Sequence, residues 1–200
     1  MVDSTRKKTY VTIKPLNDEA IGSNEPDLPL RTFSWSYWLI LTTIVASLAF
    51  YFIRRTKQVK EVAIVPTSLL DAQIGFTPSS AYDTLSSLGP KGRDIYKEIN
   101  RVDFLLAPIV FREFILHTIP PTSMERDRVR EFLANTYILG DVMENTFIAI
   151  MLKTFPKLLD LFAWTGCVGN LLKWFGFCGG LLSILYEGFV WVRERKNTLK

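Results

Sequence analysis

The residues of this chain best suited to chemistry crowd into one apolar stretch, ILGDVMENTFIAIML at 138–152, where Asp141, Glu144 and Asn145 interrupt aliphatic side chains. On a helix these three share a face with Ile148, and Tyr137 lies beside them one turn earlier. Two carboxylates a turn apart repel, so in apolar surroundings at least one takes a proton, pairs with a cation or meets water. The chemistry on offer is proton exchange or cation binding. Its structural counterpart is a clasp between helices. Arg112 and Lys173 are the candidate counter-charges, and Asp103 adds a third acid to a candidate buried polar cluster.

Other motifs exclude more than they offer. His117 is the single histidine, and no cysteine pair has ligand spacing, so no metal centre is expected. Cys167 and Cys178 fall in one helical stretch roughly 16 Å apart by helical rise, beyond disulfide reach. GPKGRD at 89–94 lacks the spacing of a phosphate loop and reads as a helix stop and restart. Its Lys91 and Arg93, with Lys97 and Arg101 on the following turns, suit anionic lipid headgroups. Neither a Gly-x-Ser-x-Gly elbow nor a paired-cysteine motif occurs, which disfavours an enzyme, and no cofactor is expected. The net charge of +4 flanks apolar segments and forms no separate basic domain, which argues against nucleic acid.

The elements that must position these residues read as membrane helices. WSYWLILTTIVASLAFYFI, starting at Trp35, carries no charge and is long enough for a hydrocarbon core of roughly 30 Å. Tyr37 and Trp38 dress one end, Tyr51, Arg54 and Arg55 the other. The expected order is a polar flexible tail over 1–34, a first span over 35–55, and a connector over 56–96 with an amphipathic helix at about 78–88. Thr77 and Pro78 start that helix; Gly89 and Pro90 stop it. A second span is expected over 97–119, with Pro108 inside it and Pro120 and Pro121 ending it. A third covers 131–154, an amphipathic connector 155–169, a fourth span 170–192 and a basic tail 193–200. Gly176, Gly179 and Gly180 would let the fourth span approach a neighbour closely. The basic connector and the basic tail point to opposite orientations, so charge does not set sidedness.

The order of motifs resembles a family of small four-span membrane proteins of unassigned function. The likeness runs over roughly 74–192 and rests on Gly89, Gly92, Arg93, Tyr96, Asp103, Pro108, Asp141, Glu144, Asn145, Lys173 and Trp174. It implies an all-α integral membrane four-helix bundle and supplies no reaction. The expected function is that of a multi-pass, non-enzymatic membrane protein whose buried polar cluster organises the bundle or docks a membrane partner. Behind it stands a proton- or cation-coupled carrier or channel using Asp141 and Glu144, and third a lipid-handling membrane enzyme. Partners would be membrane lipids and another membrane protein or a second copy.

Overall fold

The computed structural model describes residues 35–119 and 123–198. The tail expected over 1–34 and the helix stop at Pro120 and Pro121 lie outside the described residues. Those described residues form five α-helices and no strand: α1 (Trp35–Val62), α2 (Pro78–Ser87), α3 (Gly89–His117), α4 (Met124–Thr154) and α5 (Asp160–Thr198), with a 3-10 turn at Leu70–Ala72. Short connections make α3, α4 and α5 successive antiparallel neighbours, whereas α1 reaches α3 through a longer connector that holds the 3-10 turn and α2. The largest helix contact joins α4 to α5; α3 packs on α4, and α1 on α3.

Local chemistry explains the boundaries. The Thr77 hydroxyl accepts from the Ser80 amide at 3.2 Å while the Thr77 amide donates to Ser80 Oγ at 2.9 Å, a reciprocal cap that starts α2. Gly89 turns the chain from α2 into α3 at a φ of 64°, where a side chain would be strained and its Cβ would stand 3.0 Å from Ile64. Ser123 caps α4 by accepting from the Arg126 amide.

The helices run beyond the expected segments: α3 starts at Gly89 rather than 97 and α4 at Met124 rather than 131, and two further boundaries move. α1 runs past Arg54 and Arg55 to Val62, and Arg55 pairs with Glu98 on α3, so the basic connector begins as helix. The stretch expected as a separate connector, 155–169, mostly belongs to α5, which starts at Asp160 and continues unbroken into the expected tail. Gly166 and Gly169, inside this helix, are packing residues. A Cβ on Gly169 would stand 2.6 Å from the Glu144 amide nitrogen, so only glycine lets α4 and α5 meet there.

The apolar core lies at one end of the bundle. Leu85 and Leu88 from α2 and its end, Leu70, Tyr96 and Ile99, and Ile148 and Met151 on α4 close around the connector. Towards the middle the pattern inverts. α4 buries Arg130, Tyr137, Asp141, Glu144 and Asn145 and exposes Phe132 and Leu139. Two helices are long and apolar enough to cross a membrane, Ser36–Val62 and Asp160–Arg193, and only 11% and 22% of their most apolar stretches are buried. A core helix of a water-soluble domain hides such a surface; these present it outward.

Candidate functional site

A Lys173-centred network stands between α3, α4 and α5. Asp141, Glu144 and Asn145 reach it from α4 because a rise of three to four residues returns to the same face. Lys173 Nζ lies 2.8 Å from Glu144 Oε2, 3.0 Å from Asp141 Oδ1 and 3.8 Å from Asp103 Oδ2. Asp141 and Glu144 are fully buried. Glu144 Oε1 accepts from Asn170 Nδ2 at 2.6 Å, and Asn170 Oδ1 accepts from the Gly75 amide at 2.7 Å, which ties the loop before α2 to α5. On the other side Asn145 Nδ2 donates to Asp103 Oδ2 at 3.0 Å, and Asn100 Nδ2 donates to Asn145 Oδ1 at 2.7 Å.

The balance of charge is uneven. Three carboxylates face one ammonium, so with all four ionised the cluster holds two more negative than positive charges. Asp141 Oδ1 meets the ammonium as an ion pair without hydrogen-bond geometry, and Oδ2 has no hydrogen-bond partner among the described residues. Glu144, by contrast, has both oxygens engaged. Lys173 Nζ occupies the centre that a metal would need. Among the described residues no group of His, Cys, Asp and Glu is arranged to hold one.

A cavity of about 310 Å³ reaches this network from the side of α1. Asp71, Asp103 and Lys173 give it a polar head, and Phe52, Phe111 and Phe177 give it apolar walls. Trp174 anchors the rim through its indole N–H, which donates to the Gln73 carbonyl at 3.0 Å. Asp71 is held in place by Tyr96, whose hydroxyl donates to Asp71 Oδ1 at 2.9 Å and accepts from the Leu70 amide at 3.2 Å.

Of the residues expected in the cluster, the structure brings together Asp103, Asp141, Glu144, Asn145 and Lys173, and it leaves Arg112 elsewhere. Arg112 pairs with Glu113 at 2.7 Å and donates to Asn135 Oδ1 at 3.1 Å, in a half-exposed group with Tyr37 and His117. The reason is angular: nine residues beyond Asp103, Arg112 lies half a turn round the helix and about 13 Å along it. Among the expected headgroup contacts, Lys91, Lys97 and Arg101 are exposed, with Lys97 bound to Asp94 at 2.9 Å. Arg93 turns inward: it donates to the Leu85 carbonyl at 2.9 Å and stacks 4.2 Å above the Phe155 ring.

Sequence reasoning passed over Asn100 and Asn170, and it named Tyr96 only through the family resemblance. Helical spacing signals them, since Tyr96, Asn100 and Asp103 share one face of α3 and Asn170 sits a turn before Lys173. It also passed over a second polar knot at the opposite end, where Arg130 is fully buried beside Ser183 and the Ile119 carbonyl, and Arg126 lies 3.7 Å from Glu187. Asp71 carries no such signal, because a loop delivers it. No family model, no curated protein and no solved structure matches the chain.

Proposed function

We propose that this is a multi-pass integral membrane protein of four spans, α1, α3, α4 and α5, that performs no reaction itself. Its Lys173 network fixes the relative register of three of these helices so that the bundle offers a constant surface to lipid and to a membrane partner. The single observation that carries this reading is the position of Lys173, one ammonium from α5 held among carboxylates of α3 and α4. Support for counting α3 and α4 as spans comes from their inverted faces. α3 exposes Leu105, Leu106 and Ile109 and buries Asn100 and Asp103; α4 does the same with its acids. In lipid a charge at mid-depth costs about 2.5–3.5 kcal/mol even on the lenient scale, so acids turn inward and apolar side chains outward. Of the eleven residues on which the family resemblance rests, seven, Tyr96, Asp103, Asp141, Glu144, Asn145, Lys173 and Trp174, meet in this one region. That is what a shared bundle architecture would require of them. The test is stability: Lys173→Met must loosen the bundle far more than Asp141→Asn.

A second reading has its own observation. The cavity reaches Asp103 and Lys173, and the cluster has surplus negative charge with an unpartnered Asp141 oxygen. A proton or small cation admitted through the cavity would neutralise that surplus, as in a coupled carrier or channel. Proteoliposomes carrying a pH dye decide it: a pH-driven flux that folded Asp141→Asn abolishes would replace the scaffold reading, and equal leak with and without protein would remove the carrier.

A further inference from the structure

The outer face of α3 and α4 carries a groove of about 600 Å³ that is separate from the Lys173 cavity. Lys97, Arg101 and Phe104 follow one another along one face of α3; antiparallel to them on α4 run Lys153, Ile150 and Thr146. Both helices therefore place their cations at the connector end, with Phe104 and Ile150 deeper and Thr146 beyond them, over about 10 Å of helical rise. Asn100 and Asn145 line the same groove, and each is already engaged in the interhelical hydrogen bonds.

Charge decides the occupant. Arg101 and Lys153 are exposed and have no ion-pair partner among the described residues, and Lys97 shares its charge with Asp94. Glu98, the other acid on this turn, is taken by Arg55. We infer that the groove binds one anionic phospholipid, its phosphate between Arg101 and Lys153 and an acyl chain along Phe104 and Ile150. A water-soluble acidic partner would gain nothing from the apolar lower half. A zwitterionic lipid would gain little from the paired cations, because each Lys or Arg near the surface favours anionic headgroups by about fivefold.

This inference rests on the membrane reading, and one experiment separates the two. The full chain is reconstituted in nanodiscs of phosphatidylcholine, and of equal parts phosphatidylcholine and phosphatidylglycerol, then released and weighed by native mass spectrometry. Wild type retains phosphatidylglycerol in preference to phosphatidylcholine. The double variant Arg101→Gln, Lys153→Gln lowers that preference roughly thirtyfold with an unchanged circular-dichroism spectrum. The charge-keeping pair Arg101→Lys, Lys153→Arg retains most of it. Equal retention of both lipids, or no effect of the glutamine pair, overturns the groove. Displacement by inorganic phosphate overturns it as well, because a lipid held by its chain would stay. Failure to enter either kind of disc overturns the membrane reading instead.

Discussion

Lys173→Met deletes the ammonium while keeping an unbranched stem of similar bulk, so it isolates charge from packing. Removing one partner of a buried ion pair costs about 3–5 kcal/mol, because the other charge is left uncompensated. Lys173 serves three acids at 2.8, 3.0 and 3.8 Å, two of them fully buried, so the upper part of that range, about 4–5 kcal/mol, is expected. Asp141→Asn moves the other way: it removes one surplus negative charge and alters an oxygen that has no hydrogen-bond partner among the described residues. Its effect should fall within about 1 kcal/mol of wild type or be stabilising. Glu144→Gln sits between them, because the amide would turn an NH2 towards either the Lys173 ammonium or the Asn170 amide, both donors. Adding Asp141→Asn and Glu144→Gln to Lys173→Met should recover most of the loss. The assay is unfolding in mixed micelles, followed by tryptophan fluorescence and far-UV circular dichroism. The reasoning is refuted if Lys173→Met unfolds within about 1 kcal/mol of wild type, or if Asp141→Asn costs as much as the lysine variant.

Two further outcomes follow from the packing. Gly140→Ala would put a Cβ 2.2 Å from the Lys173 backbone nitrogen, so the α4–α5 pair must part and stability should fall by at least about 1–3 kcal/mol. Gly188→Ala meets only the tip of Ile119 at 3.2 Å and should be mild; equal thermal midpoints for the two would disprove the close seam. Tyr96→Phe removes the acceptor of the Leu70 amide and should cost about 1–3 kcal/mol. Hydrogen exchange at Leu70 and Asp71 should rise with it, and unchanged protection would show that the hydroxyl does not hold the loop.

Much of this arrangement could be read from spacing alone. Thr77, Pro78 and Gly89 mark α2 because capping and a left-handed turn depend on residue type within a few positions. The inward turn of Asp141, Glu144 and Asn145 follows from helical period and the cost of an unpaired charge among apolar side chains. Choosing Lys173 over Arg112 needed depth and angle together, and weighing Arg112 only by the span it occupies kept it in the candidate cluster. The start of α5 at Asp160 escapes the sequence reading because its amphipathic first turns read as a connector set apart from the apolar span that follows; the close approach at Gly169 depends on the facing helix, which local sequence does not show. Asp71 and the cavity wall depend on a loop folded back over the bundle, which no local pattern encodes.

The glycine seam also has a mechanical consequence. Gly140, Gly169 and Gly176 bring the backbones of α4 and α5 so near that sliding one past the other would drive main chain into main chain. The pair therefore behaves as a stator. α1 makes its main contact with α3, and it contributes Phe52 and Thr56 to the wall of the cavity over Asp103 and Lys173. Displacing α1 from α3 would therefore uncover the buried cluster without disturbing the α4–α5 seam, so the first helix is the cover of the cluster and the glycine-joined pair its frame.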